Sequence, residues 1–324
     1  MQHKIARRGA LAAACLALAG AAWAQAPAWP NKPLRIVVGF APGGSTDVMA
    51  RIVAQSVGEA IAQTVVIDNK PGASGNIAAA EVVRAAPDGH TFLIAPTSVE
   101  TANPWLFKSN LLPSRDLTPV GTIGKTQMYL VAKPQIAARD VRELVALAKA
   151  QPGKLSYASA GTGTPPHLAC ELFKQASGSF VTHIPYRGAA PALQDVLSGQ
   201  ADFVCDPGIA FPHIRTGKVK LLGVVSAKRS PFFPDVPTVG EQGVAGADLD
   251  IWFGLWAPKG TPPEILARMN KELARALAQP ALAKRYGDLG AEPVAMEQAE
   301  FRALLQREGQ QLETLIKTQG ISVE

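Results

Sequence analysis

Leu34-Arg35-Ile36-Val37-Val38-Gly39-Phe40, followed at once by Ala41-Pro42-Gly43-Gly44-Ser45-Thr46-Asp47, reads as a strand, a turn and the start of a helix. The β-branched run suits a strand, the Pro-Gly-Gly group breaks it, and hydroxyl and acidic residues are what a helix start prefers. Val48, Ile52, Val53, Val57 and Ile61 then recur at helical spacing, which predicts a helix over Thr46–Ala62. The rhythm repeats outward: strand Thr64–Asp68, turn Gly72-Ala73-Ser74-Gly75, helix Asn76–Ala86, turn Pro87-Asp88-Gly89 and strand Thr91–Ala95. Alternation of this kind gives an α/β fold, a mostly parallel sheet covered by helices.

A long extended stretch, Val120–Lys133, opens a second series. Helix Val141–Ala150, strand Leu155–Ser159, helix His167–Ala176, strand Phe180–Tyr186, helix Ala192–Leu197 and strands Asp202–Asp206 and Lys220–Ser226 follow. After a Gly/Pro-punctuated loop, Pro231 to Gly246, come an aromatic-rich strand, Leu249–Ala257, and amphipathic helices. With 324 residues, 47% apolar and 18% charged, disorder is excluded and two domains of ~100–200 residues fit.

Residues 1–24 read as a secretory signal: Lys4, Arg7 and Arg8, an apolar stretch from Gly9 to Ala22, and Ala22-Trp23-Ala24 as the cleavage site. Removing them after Ala24 leaves 29 basic against 26 acidic residues, so the formal charge falls from +6 to +3. A nucleic-acid partner is therefore not indicated. Two cysteines would remain, Cys170 and Cys205, in a compartment that permits disulfides; a bridge between them and burial as two small apolar groups both stand open.

Enzyme signatures are mostly missing. Gly161-Thr162-Gly163 begins a dinucleotide loop, but Pro166 stands at the third glycine position. Ser45 and Ser74 sit in glycine-rich turns without the G-x-S-x-G elbow, and His90, His167, His183 and His213 show no metal-ligand spacing. Neither a cofactor nor a metal is expected. What recurs is small-residue turns before helices: Gly43–Thr46, Gly72–Gly75, Gly161–Thr164 and Gly188–Ala190. Such helix starts offer unpaired N–H groups and a partial positive charge, which suits an anion. Thr164 before Pro165 fits an N-cap, placing His167 in the first turn as a donor to a carboxylate. Arg187 ends a strand at its carboxyl edge, where open α/β sheets bind ligands and where a guanidinium can hold a carboxylate. Asp47 is expected to brace its loop.

The motifs Trp29-Pro30-Asn31-Lys32-Pro33, Phe40–Asp47, Asn69-Lys70-Pro71-Gly72-Ala73-Ser74-Gly75-Asn76, Pro87–Thr91, Tyr186-Arg187-Gly188 and Trp252-Phe253-Gly254 together resemble the Bug family of periplasmic solute-binding proteins of tripartite tricarboxylate transporters. The resemblance implies a two-lobed Venus-flytrap fold of type II, with 28–124 plus 249–324 as one lobe, 125–248 as the other, and two chain crossings at the hinge. It also implies a monomer that closes on a small organic acid or amino acid and meets membrane permease subunits or, alternatively, a membrane sensor. Ligand contacts are implied at Ala41, Gly44, Ser45, Thr46, Ser74, Thr97 and Ser98 from the first lobe. From the second they are Gly161, Thr162, Gly163, Thr164, His167, Arg187, Gly188, Ala189 and Asp206. Members commonly carry Lys where Arg187 stands and an aromatic or Met at Cys205, which bears on the ligand taken. An exported serine hydrolase using Ser45 or Ser74 with His167 is the alternative from another class.

Overall fold

The computed structural model of the protein describes residues 29–108 and 112–323; the secretory signal expected over residues 1–24 lies outside the described residues. The chain divides into Met1–Asn31 and a unit of Lys32–Glu324 that carries the described helices and strands. In chain order the strands are β1 (Leu34–Val38), β2 (Val65–Asn69), β3 (Thr91–Pro96), β4 (Leu117–Thr126) and β5 (Tyr129–Ala132). They continue with β6 (Ser156–Ser159), β7 (Thr182–Pro185), β8 (Phe203–Asp206), β9 (Lys220–Val224), β10 (Ile251–Pro258) and β11 (Ala291–Glu292).

These strands form two sheets. One has the order β11-β4-β10-β3-β1-β2 and the other β7-β6-β8-β5-β9. In the first, β1 pairs parallel with both β2 and β3, while β10 runs antiparallel between β3 and β4. The opening run becomes β1 because Leu34, Ile36, Val37 and Val38 are all buried, as a strand covered on both faces requires. The helix Ser45–Ile61 turns Met49, Ile52, Val53 and Val57 inward against that sheet. Val37, Leu93, Trp256 and Phe301 anchor the first core, and Tyr129, Val131, Leu193, Val204 and Phe211 the second.

The chain crosses between the lobes twice. The expected continuous strand Val120–Lys133 is two strands, β4 and β5, parted at Gln127-Met128 so that each joins a different sheet. The return passes from β9 to β10, and the two passages are laced together: Val225 N–H donates to the Met128 carbonyl at 2.7 Å, and Leu249 N–H to the Val225 carbonyl at 3.1 Å. A third apolar group bridges the lobes, with Leu168 of the second packed among Ala102, Leu106 and Ile316 of the first. The strand expected over Phe180–Tyr186 shrinks to the edge strand β7, which Pro185 ends, and Phe180 lies before it, exposed to solvent. Cys170, on the helix Pro165–Ser177, is disulfide-bonded to Cys205 on β8, with Cα atoms 5.9 Å apart and both residues buried.

Candidate functional site

After β1 the chain turns at Gly43 and enters its helix at Ser45, with Gly44 as N-cap and no side chain capping it. The first amides of that helix therefore remain available to a ligand. Asp47 holds the turn. Its Oδ2 accepts from Gly43 N–H at 2.9 Å and Arg51 Nε at 3.0 Å, and its Oδ1 from Asn69 Nδ2 at 2.9 Å. Asn69 Nδ2 also donates to the Phe40 carbonyl at 2.9 Å. Burial works to raise the Asp47 pKa, but the hydrogen bonds from Arg51, Gly43 and Asn69 outweigh it and hold the carboxyl below its ordinary value.

The second turn of this lobe carries Ser74 within a single 3-10 turn, Ala73–Gly75, at φ +53°. A left-handed serine is uncommon and is held by its surroundings: Asn103 Nδ2 donates to the Ser74 carbonyl at 3.0 Å and to Asn76 Oδ1 at 2.8 Å. The Ser74 hydroxyl is buried and has no hydrogen-bond partner among the described residues.

In the second lobe the turn after β6 has the same outline but a different interior. Gly163 N–H donates to His167 Nδ1 at 3.2 Å, and Gly161 N–H to Ser159 Oγ at 3.1 Å. The Ser159 hydroxyl also shares a hydrogen bond with His183 Nε2 at 2.7 Å. The two imidazoles lie together, ring centroids 4.3 Å apart. Both are held neutral, with pKa lowered to about 4, His167 by burial and His183 by burial and then by His167. Thr164 occupies the N-cap position, yet its hydroxyl donates to the Gly161 carbonyl at 2.6 Å instead of capping. Pro165 and Pro166 follow, so the first two helical positions carry no N–H at all.

Three adjoining cavities lie between the lobes. The first, of about 280 Å³, is lined by Phe40 and Gly72–Ser74 from one lobe, Ala160–Thr162, Tyr186 and Arg187 from the other, and Phe107 and Val323. Arg187 is the one formally charged residue on that lining among the described residues. The second, of about 30 Å³, shares Phe40 and Ala160 with the first and is lined by Gly44–Thr46, Ala189 and Pro207. The third, of about 430 Å³, lies on the hinge side and shares Pro165 and Ile251 with the second. The lobes touch across this row. Ser45 Oγ donates to the Pro207 carbonyl at 3.2 Å, and a Cβ on Gly188 (φ +144°) would stand 3.0 Å from the Ala41 Cβ. A Cβ on Gly208 would overlap the Leu289 carbonyl.

Of the residues singled out in the sequence, Ser74, Gly161, Thr162 and Arg187 line the first cavity, and Gly44, Ser45, Thr46 and Ala189 the second. Ala41 and Gly188 meet each other at the seam. His167 is corrected: it points into the lobe, 5% exposed, and its ring accepts from Gly163 rather than donating to a ligand. Gly163 packs against the Phe107 ring and Leu106, and the Gly161 and Gly163 amides are already used. Asp206 also turns inward, its Oδ1 accepting from Gly208 and Ala210 N–H at 2.7 and 2.9 Å, while complete burial lifts its pKa to about 7. Thr97 and Ser98 line the hinge-side cavity, not the first. Sequence reasoning missed Phe40, Phe107 and Val323; the aromatic Phe40 directly before the first glycine turn was the available signal. No group of three or more His, Cys, Asp or Glu able to hold a metal, and no helix long and apolar enough to cross a membrane, occurs among the described residues.

Two α/β lobes joined by two crossings and enclosing a row of cavities are the architecture of periplasmic binding proteins. The chain belongs to the tripartite tricarboxylate transporter family receptors, whose family model matches residues 49–321. It is similar to the protein BugT of Bordetella pertussis, 34% identical over 318 residues that cover 95% of this chain and 96% of BugT. Among solved structures it is similar to an R. palustris protein with adipate, at TM-score 0.88 and 33% identity, covering 91% of this chain and all of the other. It is also similar to MatC from Rhodopseudomonas palustris with bound malate, at TM-score 0.84 and 34% identity, covering 89% of this chain and all of MatC.

Proposed function

We propose that the protein is an exported receptor, freed of residues 1–24 by cleavage after Ala24, that works as a monomer in the periplasm. Its lobes, 28–124 with 249–324 and 125–248, close on a small organic carboxylate and present it to a tripartite tricarboxylate-type permease. The observation that carries this reading is the first interlobe cavity: its lining adds one guanidinium, Arg187, and one unpartnered hydroxyl, Ser74, with no acidic side chain among the described residues. About 280 Å³ is at the small end for ligand pockets, the size of a compact organic acid. Malate and adipate in the similar proteins point to dicarboxylates first.

In this reading Arg187 pairs with one carboxylate, Ser74 Oγ donates to it, and the amides of Ser45 and Thr46 receive the other from the neighbouring small cavity. Binding energy falls on contacts from both lobes, so the ligand favours the closed arrangement. Chemistry on the ligand has no part in it.

Thermal denaturation with a panel of mono-, di- and tricarboxylates and amino acids tests the proposal. A true ligand at 100-fold its Kd stabilises by ~2.7 kcal/mol. Arg187→Gln and Ser74→Ala should each weaken it about tenfold or more, since a hydrogen bond to a charged group contributes ~1.5–3 kcal/mol. If no acid in the panel raises the melting temperature, or if both variants bind unchanged, the carboxylate cleft is wrong.

A further inference from the structure

The hinge-side cavity is larger than the cleft and has different chemistry. Its floor is formed where β3 ends, at Thr97 and Ser98, and is fixed by Thr97 N–H donating to the Trp252 carbonyl at 2.9 Å. Ser98 is 5% exposed, yet its hydroxyl has no partner among the described residues. Glu308, on the C-terminal helix Gln298–Gln319, adds a carboxyl whose Oε2 is buried and equally without a partner, although the group takes a hydrogen bond from the Thr97 side chain. Leaving such atoms unpaired inside a protein costs ~1–3 kcal/mol each, more for a charged group.

Leucines make the walls. Leu168 and Leu172 come from the second lobe, Leu304, Leu312 and Leu315 from the first. The charged groups on the lining are Glu308, Asp248 and Asp250 against Arg307, and of these Asp250 is already engaged by the Ser226 hydroxyl. An anion is thus disfavoured here, in contrast to the front cleft. Two polar atoms without partners at the end of a leucine-walled, net acidic space ask for a cation rich in donors and carrying an apolar body.

We propose that this cavity is a second ligand site, separate from the carboxylate cleft, that takes a small primary ammonium with an aliphatic body, its NH₃⁺ group bonded to Glu308 and Ser98. The two lobes supply opposite walls, so an occupant would also hold them together. Burial lifts the Glu308 carboxyl to about 7; an ammonium beside it favours the ionised form, and binding therefore strengthens from pH 6 to pH 8.

Titration calorimetry of the full chain at pH 8 with n-hexylammonium chloride, and with 1-hexanol as the neutral isostere, decides the matter. One-to-one binding of hexylammonium is expected, with at least tenfold loss in Glu308→Gln and no loss in Ser74→Ala, which alters only the front cleft. Should Glu308→Gln fail to fold, Leu312→Trp fills the space while keeping the carboxyl and must abolish the same signal. Hexanol binding as tightly as hexylammonium, hexylammonium binding unchanged in the Glu308 or Leu312 variant, or no hexylammonium binding at millimolar concentration would each overturn the site.

Discussion

The turn after β1 and the turn after β6 share one outline, strand to glycine turn to helix, and are held by opposite electrostatics. The first is tied by an ionised carboxylate: Asp47 gathers Gly43, Asn69 and Arg51. The second is tied by neutral imidazoles, His167 accepting from Gly163 and His183 sharing a hydrogen bond with Ser159. Because Asp47 takes only the Gly43 amide, the first helix start keeps its own N–H groups for a ligand; the second commits the Gly161 amide to Ser159 and the Gly163 amide to His167, and has no amide hydrogen at Pro165 and Pro166. Only one of two similar turns is therefore equipped to hold an anion through its backbone.

The largest expected effect that separates the two turns is on acid stability. His167 has an ordinary pKa of 6.5 when unfolded and about 4 when folded. The unfolded state thus binds more protons between those values, and stability is full above pH 6.5 and falls as the pH drops toward 4. About 3 kcal/mol is at stake for this group. Asp47 behaves oppositely: its folded pKa lies below the ordinary 3.8, so its contribution persists above that pH and is lost only below it. His183 titrates in the same sense, and the buried carboxyls Asp206 and Glu308 in the opposite one, so the test is a difference: in urea denaturation across pH 7.5 to 4, His167→Gln, a neutral acceptor, should lose less stability than the parent chain, and an identical pH dependence in the two would clear the imidazole of responsibility.

Next in size is Asp47→Ala at neutral pH, which leaves three donors without their acceptor and should cost about 2–3 kcal/mol with weakened carboxylate binding. Thr164→Val, measured the same way, should cost about 1 kcal/mol through loss of the bond to the Gly161 carbonyl, with ligand affinity little changed. Arg51→Ala should be smallest, within about 0.5 kcal/mol, because that side chain is half exposed and its partner keeps two other donors. A larger loss at Arg51 than at Asp47 would invert the account of which group organises the first turn.

Much of this was legible in the sequence. The β1 run, its Pro-Gly-Gly break and the helical spacing from Val48 to Ile61 each speak through neighbours in the chain, and the structure places those elements within a residue or two. The orientation of His167 was not, since it depends on His183 arriving on the adjacent strand. Nor was the side of the interface that Thr97 and Ser98 face, which is set by the pairing of β3 with β10 more than 150 residues later. One clue was present and unused: consecutive prolines at 165 and 166 already removed two amides from a turn read as an anion site.

The bond between Cys170 and Cys205 bears on how the molecule must be made. It fastens the helix behind the second turn to the strand that leads into Asp206 and Pro207, so these two walls of the lobe are held as one piece. Closing a loop of 35 residues restricts the unfolded chain by an amount equivalent to about 4 kcal/mol. The same sequence produced in a reducing cytosol would forgo that contribution entirely. Its second lobe would then open more readily than its first, and melting temperatures or affinities measured on such material would describe a weaker molecule than the disulfide-bonded one.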